Sequence, residues 1–195
     1  MNALDAAKIA SEAYTAAPDI GVEESASRAI VRHTDAGLVI AFPGSDNGAC
    51  WEADFDVLPV AVPGAGQVHS GFLNAWRAIS VPVLAAVAGQ PVTLIGHSLG
   101  AAIALMAAMD MTISGNPPAA VYAFETPRVS PDLTLRTLLA DVPLHLFKNG
   151  LDIVPDVPFG WQHPGMLTHI GKPQLPFPNV LDHSIQRVIA ALTAQ

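Results

Sequence analysis

Two kinds of hydrophobic pattern alternate along this chain. The first is the short, nearly unbroken apolar run: Leu38-Val39-Ile40-Ala41-Phe42, Val92-Thr93-Leu94-Ile95, Val121-Tyr122-Ala123-Phe124 and Leu144-His145-Leu146-Phe147. Runs of this length, rich in β-branched and aromatic side chains and without a polar face, predict strands buried inside a sheet. The second is the longer segment with apolar residues at helical spacing. Residues 4–17 are alanine-rich and end at Pro18, predicting an N-terminal helix with no chemistry of its own. Phe72, Trp76, Ile79, Val83 and Val87 mark another helix, which Pro82 should kink or divide. Residues 101–108 are small and apolar, residues 132–139 predict a short helix, and Ile185, Val188, Ile189 and Leu192 form the stripe of a last one.

Turn signals complete the outline. Thr34-Asp35-Ala36-Gly37 joins residues 28–33 to residues 37–42 as a hairpin. Residues 57–63 read as extended and limited by proline, residues 163–171 as a small hairpin, and Pro173, Pro176 and Pro178 carry the chain over the surface. Strands alternating with helices predict an α/β fold: a mostly parallel sheet with helices on both faces. At 195 residues, residues 1–195 are expected to form a single domain.

Composition narrows the functions open to such a fold. Apolar residues make up 51% and charged residues 13%, which excludes a disordered chain. A net charge of −8 argues against nucleic acid and gives no attraction to an anionic membrane. No apolar run approaches the ~18 residues of a membrane span. Cys50, the single cysteine, excludes an intramolecular disulfide and a cysteine-based zinc cluster. The opening residues lack a basic stretch followed by a solid apolar one, so residence is expected to be cytoplasmic by default, with release by a signal-independent route as the other setting.

The chemistry centres on Gly96-His97-Ser98-Leu99-Gly100, set between the strand at 92–95 and the helix at 101–108. A G-x-S-x-G between strand and helix is a nucleophile elbow, a sharp turn that lifts the serine hydroxyl clear of the sheet. A Cβ at either glycine would collide with the neighbouring strand or helix. A serine hydroxyl needs an imidazole to take its proton and a carboxylate to orient that imidazole. On such elbows the acid and then the histidine follow the serine in the chain. Asp152, beyond the strand at 144–148, fits the acid, with Asp156 as runner-up. Of His163, His169 and His183, the last stands at the entrance to the final helix, where it can swing over the serine. Asp182 beside it reads equally as a helix N-cap. His69 precedes the serine and reads as a packed structural histidine. The oxyanion formed by attack needs preset donors. The Leu99 N–H follows the nucleophile, and the Gly44-Ser45 loop at the end of an early strand is the best placed second source.

These pieces resemble the class 3, fungal-type lipases of the α/β-hydrolase superfamily. The resemblance rests on Phe42-Pro43-Gly44-Ser45, Trp51-Glu52-Ala53-Asp54, Val68-His69-Ser70-Gly71-Phe72, the elbow through Ala102, and Asp152-Ile153-Val154-Pro155. Thr126-Pro127-Arg128-Val129 and His163-Pro164-Gly165 match more weakly. It implies an α/β-hydrolase fold and a catalytic triad of Ser98, Asp152 and His183. It also implies oxyanion donors at Ser45 and Leu99, a lid over about residues 46–54, and no cofactor or metal. The chain has Pro43 where the family usually has arginine. The expected activity is hydrolysis of acylglycerols or other lipid esters through an acyl-enzyme on Ser98, with transient contact at a lipid interface. A short-chain carboxylesterase and an acyltransferase use the same triad. A non-catalytic binding module on the same scaffold would need a broken triad, and none is visible. Oligomeric state is not fixed by the sequence.

Overall fold

The apolar runs assemble into one six-stranded sheet. The structure, a computed structural model, describes residues 1–45, 58–173 and 181–194. Strands β1 (Ile30–Thr34), β2 (Gly37–Phe42), β5 (Val92–His97), β6 (Ala120–Phe124), β7 (Leu144–Asn149) and β8 (Leu167–Ile170) lie side by side in that order. Only the β1–β2 pair is antiparallel; β2–β5, β5–β6, β6–β7 and β7–β8 are parallel. The remaining strands, β3 (Pro59–Val62) and β4 (Gly66–His69), make a separate antiparallel pair.

Each buried strand feeds two cores, which is why its sequence shows no polar face. Leu38, Ile40 and Phe42 of β2 pack into one core, while Val39 and Ala41 pack into the other. The first core holds α2 (Ser70–Arg77), α3 (Ser80–Val87), α4 (Leu99–Ile113) and α5 (Thr134–Leu138). The second holds α1 (Ala3–Thr15) and α6 (Ile185–Thr193), which pack against each other. Helix α4 runs beneath the sheet and is apolar all round, with almost every residue buried. Asn2 caps α1 by accepting from the Asp5 N–H at 2.8 Å.

Several local expectations hold and one changes. The helix carrying Phe72 to Val87 is divided, and Pro82 sits in the first turn of α3, where its missing N–H has no partner to lose. His69 is packed as expected: it is 2% exposed, stacks on Phe72 and accepts from the Gly71 N–H, and burial pushes it down to about 4. Residues 163–171 do not form a hairpin. Their strand, β8, pairs in parallel with β7, while Gln162 bridges to Ser130. The β3–β4 hairpin closes where Gly64 and Gly66 adopt positive φ of 85° and 77°. Among the described residues no single helix is long and apolar enough to cross a membrane. The expected lid, residues 46–54, falls outside the described residues apart from its approach through Ser45.

Register fixes where chemistry can occur. Phe42 lies beside Gly96, Gly96 beside Ala123, His97 beside Phe124, and Phe124 beside Phe147. The loops leaving β2, β5, β6 and β7 therefore emerge along one edge, the carboxyl end of the parallel strands, where open α/β sheets place their ligands.

Candidate active site

The elbow is built by close packing around two glycines. Ser98 joins β5 directly to α4 with φ 57° and ψ −125°, a strained conformation for a residue with a side chain. A Cβ on Gly96 would strike the Gly100 carbonyl, and one on Gly100 would strike the Phe42 and Pro43 carbonyls. The helix can thus begin against the end of β2 only if both positions are glycine. Gly44 is pressed in the same way: its Cβ would lie 3.0 Å from the Ser98 Cβ and against the Tyr14 hydroxyl. The 43–45 loop consequently runs alongside the serine. Ser45 lines the same cleft, about 430 Å³, with Tyr14, His97, Ser98, Leu181 and His183. The Leu99 N–H opens α4, among the first-turn amides that helix geometry leaves without an intrahelical acceptor.

Ser98 stands at the N-cap position of α4 but does not cap it. Its Oγ lies 2.8 Å from His183 Nε2, and His183 Nδ1 lies 2.6 Å from Asp152 Oδ2. Because Asp152 accepts at Nδ1, the neutral imidazole carries its proton there and leaves Nε2 open to the serine hydroxyl. Asp152 is fully buried, and its Oδ1 accepts from the Val154 N–H at 3.0 Å. Burial pushes this carboxyl up, but hydrogen bonds from His183 and Glu125 outweigh it and hold Asp152 below its ordinary value. The three residues expected at 98, 152 and 183 are therefore brought together in one hydrogen-bonded line.

The rivals lie elsewhere. Asp156 pairs with Lys148 Nζ at 2.5 Å. His163 donates from Nε2 to the Pro155 carbonyl at 2.7 Å, and His169 is exposed on β8. Asp182 is not the cap of α6, a position held by Ser184. Its carboxylate accepts from the Leu151 N–H at 3.1 Å and from Arg187 at 3.2 Å, tying the histidine's loop to the aspartate's.

Three further side chains, not singled out by the sequence, support this line. His97 Nε2 lies 2.7 Å from the His183 carbonyl and Nδ1 lies 2.6 Å from the Tyr14 hydroxyl. A carbonyl only accepts, so His97 donates from Nε2 and takes the Tyr14 proton at Nδ1. Burial, reinforced by the neighbouring His183, pushes His97 down to about 3 and keeps it neutral. Helix α1, expected to carry no chemistry, thus reaches the site through Tyr14. Glu125 is the third: it follows β6 at φ 53°, is fully buried, and accepts at Oε1 from the Asn149 N–H at 2.6 Å. The signal that could have found it is the one that found Asp152, an acid at the carboxyl end of a buried strand.

Glu125, Asp152 and His183 each offer a ligand atom within 4.8 Å of the others. Both ring nitrogens of His183 are already engaged, by Asp152 and Ser98, so the cluster has the chemistry of a triad's acid end and not of a cation cage.

Comparison with known proteins agrees with this geometry. The model of the family described as Lipase (class 3) matches residues 39–161. A secreted mono- and diacylglycerol lipase A of Penicillium cyclopium is 31% identical over 150 residues, covering 72% of this chain and 49% of that protein. A lipase of Rhizomucor miehei is 32% identical over 147 residues, covering 66% of this chain and 40% of its own length. The chain thus spans about half or less of the curated relatives it matches. The solved triacylglyceride lipase of Rhizomucor miehei superposes with a TM-score of 0.73 over 92% of this chain and 91% of that one, at 23% identity, a likeness of fold. The cytoplasmic expectation is overturned, since relatives are named as secreted. It rested on the opening residues, which the fold uses as α1 and which report packing, not destination. With the α/β-hydrolase sheet, the serine elbow and the matched sequence in agreement, this chain belongs to the class 3 lipase family.

Proposed function

We propose that this protein hydrolyses carboxylic esters, acylglycerols foremost, through an acyl-enzyme on Ser98. The observation that carries the reading is the unbroken line from Ser98 Oγ to His183 at 2.8 Å and on to buried Asp152 at 2.6 Å. His183 Nε2 takes the hydroxyl proton as Oγ attacks the ester carbonyl, and Asp152 stabilises the resulting imidazolium. The N–H groups of Leu99 and Ser45 receive the oxyanion, each such donor worth roughly 3 kcal/mol in a water-excluded site. His183 then returns the proton to the departing alcohol, and a water molecule repeats the sequence to release the acid. No step requires a metal or cofactor. A glyceride substrate and work outside the cell fit relatives named as secreted mono- and diacylglycerol lipases, and transient contact with a lipid interface belongs to the same reading. We further take residues 1–195 as one catalytic domain with its lid at about 46–54.

The test is Ser98→Ala. Hydrolysis of p-nitrophenyl butyrate and labelling by a fluorophosphonate should both vanish while the far-UV spectrum is unchanged. Retention of full activity would overturn the mechanism. Comparison of monobutyrin with mono-olein, below and above the solubility limit, reads acyl length and interfacial preference.

A further inference from the structure

Two carboxyl groups, not one, sit behind His183. Glu125 leaves β6 and Asp152 leaves the loop after β7, and both are fully buried. An oxygen of each carboxyl lies within 4.8 Å of an oxygen of the other. Asp152 already accepts at both oxygens, from Val154 N–H and from His183. Glu125 accepts only at Oε1, from Asn149 N–H. Among the described residues nothing donates to its Oε2, which is buried without a partner. A charged carboxylate left in that state, against a second charged carboxylate and away from water, is the costliest arrangement available. One proton between the two carboxyls removes both the repulsion and the orphaned oxygen.

We propose that Glu125 is a positioning residue for the triad: it stays protonated and donates a hydrogen bond to the Asp152 carboxylate, fixing the acid that orients His183. The assignment of the proton follows from the partner count, because Asp152 has two donors supporting its charge and Glu125 has one. Burial, then the hydrogen bond and repulsion from Asp152, hold Glu125 well above the usual carboxylate range, against the opposing pull of Asn149 N–H and Lys148. The charged and titratable groups facing it are few. Asp152 and His183 lie on the loop side, while Lys148 on β7 is engaged by Asp156. His97 on β5 is neutral, and Asp182, beyond Asn149, is paired with Arg187. The pair therefore holds one proton and one negative charge, and that proton stays in place while the Ser98 proton moves to His183 and on. Donation also draws charge from Asp152 and moderates its hold on the imidazolium. The backbone makes the position specific: Glu125 has φ 53°, a conformation that side-chain-bearing residues rarely adopt.

This inference rests on the triad reading, and its test separates the two. Glu125→Gln keeps a donor toward Asp152 and an acceptor toward Asn149, so it should retain kcat/KM within about threefold at pH 7. Glu125→Ala removes the donor: kcat should fall roughly tenfold or more with KM little changed, and the acid limb of kcat/KM should move to higher pH. The alkaline limb of the native enzyme should lie below that of Glu125→Gln, which has no proton to lose. In the infrared, native protein and Ser98→Ala should show the C=O band of a buried protonated carboxyl that Glu125→Gln lacks. Absence of that band from native protein, or a tenfold loss in Glu125→Gln, would overturn the proposal. So would a Glu125→Ala profile superimposed on the native one. If the alanine variant does not fold, the band and the glutamine variant still decide. Native protein inactive on every ester would instead sink the hydrolase reading, and the infrared band would still report the proton.

Discussion

A buried acid that folds in its protonated form makes the protein less stable as pH rises, and Glu125→Gln isolates that cost. In the unfolded chain Glu125 ionises at its ordinary value near 4.5, whereas burial and Asp152 hold it well above this in the folded protein. Its contribution is fully present below 4.5 and is lost as pH climbs toward the folded value. Within that window the unfolded state has released a proton that the folded state keeps, so stability falls by about 1.4 kcal/mol per pH unit. The loss accumulates for as long as the folded protein keeps that proton. Other groups titrate too. Asp152, held below its ordinary 3.8, adds stability above that value and loses it as pH falls, outside the window. His97, pushed down to about 3, and His69, pushed down to about 4, make the protein more stable as pH rises toward 6.5. Those terms are common to native and variant protein and cancel in the difference. Urea denaturation of both at pH 5 and pH 7 reads it directly: with a slope of about 2 kcal/mol/M, the gap in midpoints should widen in favour of Glu125→Gln by roughly 0.7 M for each pH unit over which folded Glu125 keeps its proton. A gap that stays constant between the two pH values would refute a protonated Glu125.

Three other variants probe the rest of the site. Asp152→Asn should lower kcat on p-nitrophenyl butyrate by about 10⁴, because an amide presents the wrong partner to His183 Nδ1, while Asp156→Asn should stay within a few-fold; equal losses would undo the assignment. Tyr14→Phe leaves buried His97 Nδ1 without its hydroxyl donor at 2.6 Å. It should cost ~1–3 kcal/mol in urea denaturation and a few-fold in kcat/KM, and native behaviour in both would show that the Tyr14–His97 link supports neither fold nor site.

Much of this architecture is legible before any coordinates. The strands at 37–42, 92–97, 120–124 and 144–149 announce themselves because parallel strands covered on both faces need apolar residues at every position. The triad is legible for a different reason: serine, acid and histidine occur in a fixed order at strand ends and at a helix start. What escaped detection depends on non-local pairing. Strand β8 has exposed side chains at Thr168 and His169 and gains its identity only from lying beside β7, so its sequence imitates a turn region. The β3–β4 hairpin was hidden by Pro59 and Pro63, which suggest a proline-limited edge. Tyr14 and His97 looked like helix and strand residues, and only the packing of α1 across the end of β5 makes them neighbours of the base. Glu125 ends a buried strand as Asp152 does, but its own stretch does not tell an acid that faces solvent from one that sits behind a histidine.

The pairing of α1 with α6 has a bearing on the order in which the site is assembled. Synthesis proceeds from the N-terminus, so Ser98, His97 and Tyr14 all exist well before His183, which lies 85 residues beyond the serine. Helix α6 closes against α1, with Gln186 reaching Ser11 at 2.9 Å, and until His183 is made Ser98 lacks the imidazole that it meets at 2.8 Å in the folded chain. The helix that follows His183 is the last of the described elements to be made, so the proposed acylation waits on the carboxyl-terminal part of the chain while its nucleophile lies near the middle.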